Sequence, residues 1–458
     1  MARVDLIVRQ GILVDGHQET SADVGVRDGK ICFVGKSEGV LEADRVIDVR
    51  GCHVLPGIID SHVHVRDPGL TVKEDFRTAS MAAAAGGVTT IMCQPTTVPP
   101  TTTEAAFEER IALGESKSLV DFAIQAGVSI DNLSHVAALA KCGAASLEVF
   151  LQDFPAELAT RDAAALWRVL EAVTETGCVA GVFRGDESLK NLFADRVKSS
   201  GRVDLLAWSD SRPAILEAIG VAVTLSVAAE VGCPVHLRQI STKAAMDMIL
   251  AMKGLHPSLS VSVEVTPHNL VTTREDFLRQ GAFGKVIPPQ REKADLQALW
   301  RAIAEREIEM VVATDHAPHP KKDKAVGAEN VWSSPPGFPG VQTMLPLMLN
   351  EVSAGVLSLN RLVELCSETP ARVFGIFPRK GALAIGSDAD MTIVDMHREA
   401  IIRSSDQHTK AGFTPFDGWK VKGQPVMTIV TGKVVMENGK LVEDGPRGKF
   451  VAGRMLAR

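Results

Sequence analysis

Residues 88–125 read VTTIMCQPTTVPPTTTEAAFEERIALGESKSLVDFAIQ, and they contain the repeating unit that predicts the fold. Residues 88–92 and 121–125 are short apolar runs of the kind that form buried strands. Between them, residues 103–115 carry apolar side chains three and four positions apart, which is typical of a helix. The sequence therefore predicts a strand, a helix and a second strand in succession.

The same alternation continues from about residue 56 to residue 384. Further candidate strands lie at 146–151, 179–183, 235–240, 260–264 and 310–313. Repeated strand–helix units over this length favour an α/β fold of the (β/α)8 TIM barrel type over a doubly wound sheet. No glycine-rich nucleotide motif follows a candidate strand, so a nucleotide-binding fold has no support. In such a barrel, functional residues lie at the carboxyl ends of the strands.

Both ends of the chain have a different pattern. Residues 4–8, 24–26 and 31–34 are β-rich, and so are residues 391–394, 426–430 and 433–436. Asp28-Gly29 and Asn438-Gly439 are hairpin turn signals. We expect residues 1–55 and 385–458 to form one composite β-sandwich, with the barrel formed by residues 56–384. Two separate β modules are the alternative.

Charge and cysteine content exclude several classes of protein. The 458 residues include 49 Lys+Arg and 56 Asp+Glu, which gives a net charge of −7. This balance lacks the basic excess that attracts nucleic acid or anionic membranes. The seven cysteines are scattered and indicate reduced thiols rather than disulfides. With no signal peptide or membrane span predicted, we expect a cytoplasmic protein.

The first candidate site lies in residues 57–69, GIIDSHVHVRDPG. An apolar run that precedes the histidines predicts a strand, and a Pro-Gly turn follows. Alternate residues on a strand point to the same side, so His62 and His64 can bind one metal ion. A bare His-x-His pair in a loop would need no metal, but the strand context favours a metal site.

The second candidate site lies in residues 310–319, MVVATDHAPH. An apolar strand ends at Asp315, which is where a barrel places catalytic groups. Asp315 is therefore a candidate metal ligand and general base, and His319 is a candidate substrate donor. A capping aspartate with surface histidines is the alternative interpretation.

With these motifs, the chain resembles the cyclic amidohydrolases of the dihydroorotase, allantoinase and dihydropyrimidinase group, and dihydroorotase most closely. Further matching stretches are 68–76, 84–90, 264–268, 337–340 and 414–419. The resemblance implies a barrel with a β-sandwich built from both termini, and a homo-oligomer, either a dimer or a tetramer. It also implies a zinc-dependent hydrolase that opens a small cyclic amide with metal-activated water.

The metal centre departs from the pattern of that family at three positions. The family usually holds two zinc ions, bridged by a carboxylated lysine. Glu148 stands at the position of that lysine, and Phe183 and Gln239 stand at the positions of the two histidines that bind the second ion. We therefore expect one divalent ion or none. The predicted ligands are His62, His64, Asp315 and Glu148. The first three match the residues of the family, and Glu148 replaces the carboxylated lysine.

The resemblance also implies which residues contact the substrate. Arg66 and His319 match the residues that hold a carboxylate in dihydroorotases, while Thr96 replaces an asparagine. Arg66 is the most informative match, because a guanidinium grips a carboxylate through two hydrogen bonds. Gln239 and Arg184 are alternative candidates for a donor that polarises the ring carbonyl in place of the second ion. A carboxylate-bearing cyclic ureide or imide is the expected small-molecule partner.

Two functions from different classes remain open on the sequence. The first is a mononuclear amidohydrolase that acts on dihydroorotate or a related ring, with Asp315 as general base. The second is a catalytically inactive relative that serves as a partner or scaffold subunit, because three metal-centre residues are replaced. Metal content and ring-opening activity distinguish the two.

Overall fold

A computed structural model describes residues 2–442 and 445–453. The first five strands belong to the amino-terminal region and the next nine to the barrel. The amino-terminal strands are β1 (Ala2–Val14), β2 (Glu19–Arg27), β3 (Lys30–Gly35), β4 (Leu41–Asp48) and β5 (His53–Pro56). The barrel strands are β6 (Ile58–Val63), β7 (Val88–Cys93), β8 (Asp121–Ile124), β9 (Ala126–Gly127), β10 (Leu147–Phe150), β11 (Ala180–Phe183), β12 (Val235–Leu237), β13 (Val261–Val265) and β14 (Glu309–Val312).

The barrel strands pair in sequence order, and every pair is parallel. Since β8 and β9 are separated by Gln125 alone, they act as one strand and the barrel has eight. A parallel bridge between Val63 and His316 joins the first strand to the segment after the last. The predicted (β/α)8 barrel is therefore confirmed.

Helices lie between successive barrel strands and after the last one. They are α1 (Phe76–Ala85), α2 (Glu104–Lys117), α3 (Val136–Lys141), α4 (Ala163–Thr176), α5 (Glu187–Ser199), α6 (Leu205–Asp210), α7 (Ala214–Val231), α8 (Lys243–Leu255), α9 (Pro267–Val271), α10 (Lys293–Glu305), α11 (Lys321–Ala325), α12 (Met344–Ser353), α13 (Leu359–Val363) and α14 (Thr369–Val373). Side chains on their inner faces pack on the strands in one large apolar core. This core fixes the strand ends that carry the site.

Strands from both termini share one sheet. The carboxyl-terminal strands are β15 (Met391–Ile401), β16 (Lys420–Val430), β17 (Lys433–Glu437) and β18 (Lys440–Leu441). β15 pairs antiparallel with β5, which connects the two ends in a nine-stranded sheet with its own apolar core. The β domain built from both termini is thus confirmed, and two separate β modules are not formed. Met1, Glu443, Asp444 and 454–458 of that predicted domain lie outside the described residues, and the domain limits stay a prediction.

Among the residues that the structure describes, one helical region is apolar and long enough to cross a membrane by length and composition alone. It spans Leu205–Val231 with a mean hydropathy of 1.9. Its main part, α7, packs against α4 and α8, and Val221 and Leu225 are fully buried in the barrel core. The helix also carries Glu217, whose buried carboxylate accepts hydrogen bonds from the backbone N–H groups of Ser241 and Thr242. These contacts are those of a core helix.

Candidate metal centre and substrate cavity

The carboxyl ends of the first and last barrel strands bring three predicted ligands together. His62 lies on β6, His64 directly follows it, and Asp315 lies just beyond β14. All three side chains are buried, and their ligand atoms lie within 4.8 Å of one another. Asp315 Oδ1 is 3.2 Å from His62 Nε2 and 3.0 Å from His64 Nε2. Two imidazoles and a carboxylate that converge on one point are a donor set for a divalent transition metal.

Each histidine is oriented by a partner on its other ring nitrogen. His62 Nδ1 lies 2.6 Å from Glu264 Oε1, on β13. His64 Nδ1 lies 2.6 Å from the Thr96 hydroxyl. With Nδ1 protonated and donating, each Nε2 keeps its lone pair for a metal ion, as in many carboxylate–histidine–metal arrangements. Thr96 was predicted to contact substrate, and in the structure its hydroxyl orients His64, a predicted metal ligand.

Asp315 is held from the side by Gln239. The Gln239 Nε2 donates to Asp315 Oδ2 at 2.5 Å and to the carbonyl of Ile287 at 3.0 Å. Arg184 fixes the same glutamine, since its guanidinium donates to the Gln239 backbone carbonyl at 2.5 Å. Gln239 lines the cavity, but its amide nitrogen is engaged with Asp315. Oδ1 of Asp315 is thereby directed at the two imidazoles.

The structure does not bring Glu148 to His62, His64 and Asp315, the three residues called the metal group below, so the prediction that Glu148 is a ligand is wrong. Its carboxylate forms a paired contact with Arg238, at 2.6 Å from Nη2 and 3.1 Å from Nε. Arg238 also donates to Glu264 Oε2 at 2.7 Å. All three side chains are fully buried, so the charge of Glu148 is balanced by a guanidinium.

Phe183 forms an aromatic wall beside the metal group. Its ring meets the His62 ring edge to face at 5.3 Å and stacks on Phe150 at 4.5 Å. Phe154 packs on the same pair, with its ring centre 4.0 Å from that of Phe150. A phenyl ring has no lone pair to offer, so this side of the centre is apolar where the resemblance implies a second ion.

A cavity of about 380 Å³ opens beside the metal group. Predicted site residues that line it are His64, Arg66, Thr96, Gln239, Asp315 and His319. Arg66 donates from Nη1 to the Thr96 hydroxyl at 3.0 Å, while its buried Nε has no hydrogen-bond partner among the described residues. The buried Nδ1 of His319 is also without one. Because unpaired buried polar groups are costly, both residues are candidates for contact with a ligand.

Burial dominates the electrostatics of these residues. It raises the pKa of Asp315 to about 7 and lowers the pKa of Arg66 to about 10. Burial, reinforced by the charge of Arg66, lowers the pKa of His319 to about 3. At neutral pH, Arg66 is therefore a cation and His319 a neutral imidazole.

His62 is the exception, because burial disfavours its cationic form but the carboxylates of Glu264 and Asp315 outweigh that effect and raise its pKa. The raised pKa of His62 shows that its surroundings favour a positive charge. Two carboxylates flank His62, and its buried Nε2 has no hydrogen-bond partner in the described part of the chain. A divalent cation fits this arrangement, since it would satisfy that nitrogen and both charges.

Sequence reasoning missed Glu264 and Arg238, which support the metal group. Glu264 begins the stretch 264–268, which matches the family, but its contact with His62 spans 202 residues. Arg238 lies three residues after Val235 at the end of β12, and a charged residue at the end of an apolar strand was a usable signal. What they touch depends on how strands from distant parts of the chain meet.

An eight-stranded barrel with two histidines and an aspartate at the ends of its first and last strands defines a metal-dependent hydrolase class. The Amidohydrolase family profile matches residues 53–435. The chain belongs to this family, and the resemblance to the dihydroorotase, allantoinase and dihydropyrimidinase group of cyclic amidohydrolases is confirmed. The chain is thus an enzyme of the hydrolase class.

Similar proteins cover the chain almost end to end. A dihydroorotase from Methanothermobacter thermautotrophicus is 37% identical over 446 residues, covering 94% of each protein. An L-hydantoinase from Paenarthrobacter aurescens is 34% identical over 453 residues, covering 98% of each. The solved structure of L-hydantoinase (dihydropyrimidinase) from Arthrobacter aurescens superposes with a TM-score of 0.95 at 33% identity, covering 98% of this chain and 100% of that one.

Proposed function

We propose that this enzyme is a mononuclear, zinc-dependent hydrolase that opens a cyclic amide bearing a carboxylate, either dihydroorotate or a related cyclic ureide or imide. The observation that carries the proposal is the convergence of His62, His64 and Asp315 beside a cavity that also presents Arg66 and His319. The first three residues form a cation site. The last two hold unpaired nitrogen atoms that suit a carboxylate.

The single ion is supported by what surrounds it. The charge of Glu148 is neutralised by Arg238, and Phe183 offers only a ring. Gln239 uses its amide nitrogen on Asp315. His62, His64 and Asp315 would hold the ion. When bound, a divalent ion lowers the pKa of water and polarises a carbonyl oxygen.

Asp315 acts as the general base and then as the general acid. Asp315 lies beside both imidazoles and lines the cavity, so its carboxylate is placed to exchange a proton with the attacking water. Asp315 accepts the proton of the water that attacks the ring carbonyl carbon. It returns that proton to the ring nitrogen as the C–N bond breaks, so the product is an open-chain acid and no proton is lost. The hydrogen bond from Gln239 fixes the orientation of the Asp315 carboxylate during both proton transfers.

Arg66 and His319 orient the substrate. The Arg66 guanidinium is fixed by Thr96 through Nη1, which leaves Nε to bind a carboxylate oxygen. His319 is a neutral imidazole with a single N–H, and it lines the cavity beside Arg66. Together they place the ring next to the metal group.

Metal content tests the proposal directly. We expect protein purified without added metal to contain about one zinc per chain and to open rings from a panel of cyclic ureide and imide acids. Elemental analysis and a spectrophotometric ring-opening assay measure the two. Two ions per chain would contradict a mononuclear centre. Protein that neither holds zinc nor opens any ring would favour the scaffold function.

Arg66→Gln tests the carboxylate contact. We expect KM for dihydroorotate or the best acid of the panel to rise by about 10- to 100-fold, because a charged hydrogen bond is lost. A ring without a carboxylate should keep its KM. The matched control is Arg77→Gln, an exposed arginine on α1, which should leave both values unchanged. An equal effect on both rings would remove Arg66 from carboxylate recognition.

We also propose that the protein is a cytoplasmic homo-oligomer, a dimer or a tetramer. The seven cysteines are unpaired, which fits a reducing compartment. Large apolar side chains are exposed on neighbouring helices, Trp167 on α4 and Ile215 and Val223 on α7, and these support association. Sedimentation velocity gives the number of copies.

A further inference from the structure

Residues 335–337, called the wall segment below, form part of the cavity wall and have few backbone hydrogen-bond donors. Pro336 and Gly337 line the cavity, as His319 does. Pro335 and Pro336 carry no N–H group, so neither can donate to a neighbouring part of the chain. The wall segment is therefore held mainly through its carbonyl groups, which accept from donors elsewhere in the fold.

Lys324, on α11, supplies donors to the wall segment. Its Nζ donates to the carbonyl groups of Pro335 at 3.0 Å, Gly337 at 2.9 Å and Lys285 at 3.0 Å. The side chain is fully buried and contacts no carboxylate in the described part of the chain. Burial lowers the pKa of Lys324 to about 7, whereas three carbonyl oxygens favour the ammonium form, because only that form has three N–H groups.

Lys285 holds the residues just before the wall segment in the same way. Its Nζ donates to the carbonyl groups of Val331, at 2.9 Å, and Ser334. Its own backbone carbonyl accepts from the Gly337 N–H at 2.9 Å. Two buried lysines thus bind carbonyl groups along residues 331–337, and Lys324 is the one that reaches the residues on either side of Pro336.

His319 is packed against the part of the wall that Lys324 holds. Its imidazole donates a hydrogen bond to the backbone carbonyl of Pro336. Gly337 has a φ of +118°, and a Cβ atom there would lie 2.6 Å from the carbonyl oxygen of Ala317, two residues before His319. The wall segment and the chain that carries His319 are therefore in close contact, so a displacement of one would move the other.

We propose that Lys324 is a positioning residue that fixes the wall segment and, through it, the imidazole of His319 at the substrate cavity. The proposal rests on the proposed function for the contact between His319 and the substrate. All three hydrogen bonds of Lys324 go to backbone carbonyl groups outside the metal group. Its loss should therefore affect substrate binding more than zinc binding or proton transfer.

Lys324→Met tests the proposal on zinc-loaded protein. Methionine keeps an unbranched side chain and removes the three N–H donors. The probes are dihydroorotate and hydantoin-5-acetic acid, whichever the parent opens faster. We expect KM to rise about tenfold, as for the loss of one hydrogen bond, and kcat to stay within about twofold. Zinc content should not change.

The matched control is Lys322→Met, an exposed lysine on the same helix, which should keep the parent KM and kcat. Thermal unfolding shows whether each variant is folded. Lys324→Gln, which retains two N–H groups, replaces Lys324→Met if the latter does not fold. A fall in kcat and zinc content at unchanged KM would show a general structural role and overturn the inference.

A double variant shows whether Lys324 acts through His319. In that case Lys324→Met adds little to His319→Ala, and the KM of the double variant stays close to that of His319→Ala alone. Effects on KM that multiply would mean that the two residues act independently, which contradicts the proposal.

Hydrogen exchange followed by mass spectrometry gives a measurement that needs no turnover. We expect the Gly337 N–H to exchange about tenfold faster in Lys324→Met than in the parent, because the wall segment loses two of its donors. Unchanged exchange would overturn the inference. Failure of the proposed function is a different result, namely a parent protein that opens neither ring. Exchange rates and calorimetric Kd values for the same two acids would then decide the inference.

Discussion

Asp315→Asn is expected to lower kcat for ring opening by about 10³- to 10⁴-fold, with the best ring of the substrate panel. The variant removes the group that exchanges the proton, and general acid–base catalysis contributes about 10²- to 10⁴-fold. It also replaces a carboxylate ligand by a weaker amide, which we expect to reduce bound zinc. Initial rates and elemental analysis of the same preparation measure both effects.

Glu309→Gln is the matched control for this experiment. Glu309 is an exposed acid at the opposite end of the same strand, β14, so its loss changes the net charge equally. Rate and zinc content should stay at the parent values. A kcat for Asp315→Asn within about tenfold of the parent would show that another group moves the proton, because that loss lies below the range for a general base.

Arg238→Met is expected to lower the free energy of unfolding by about 3–5 kcal/mol. The reason is that Glu148 and Glu264 would each remain buried without their common cation. Glu264 would also be less firmly held, and it orients His62 through a 2.6 Å contact. We therefore expect weaker zinc binding in the same variant. Urea unfolding and competition with a zinc chelator measure the two changes.

Arg274→Met separates this effect from the general loss of an arginine. Arg274 also forms two ion pairs, with Asp210 and Glu292 at 3.0 Å each, but it is partly exposed. Such pairs contribute about 0–1 kcal/mol, so unfolding should change little. The double variant Arg238→Met with Glu148→Gln should recover part of the loss, since one unpaired charge is removed. Equal destabilisation by Arg238→Met and Arg274→Met would argue against a buried charge effect.

Local pattern was enough to predict the barrel and three candidate metal ligands. Short apolar runs alternate with stretches whose apolar residues lie three and four positions apart. The strand–helix repeat can therefore be recognised from short segments of sequence. His62 and His64 share a side because strand residues alternate with a period of two. Asp315 directly follows an apolar strand, and barrels place such residues at the functional face. None of these inferences needed a contact between distant parts of the chain.

The role of Glu148 could not be predicted from the local sequence. Its position on a strand was predicted correctly, but its role depended on which charge lies beside it. Arg238 is 90 residues away in the sequence and is brought to Glu148 across β11 by the order of strands. A buried carboxylate binds whichever cation the fold supplies, and here that cation is a guanidinium.

The sequence by itself predicted a barrel, β-rich segments at both termini, and two histidines and an aspartate as candidate metal ligands. Those features depend on periodicity and on neighbours within a few residues. Only the tertiary structure decided that Glu264 orients His62, that Gln239 holds Asp315, and which polar atoms of the cavity are left without partners. These properties are set by distances between side chains on different strands, which local sequence does not encode.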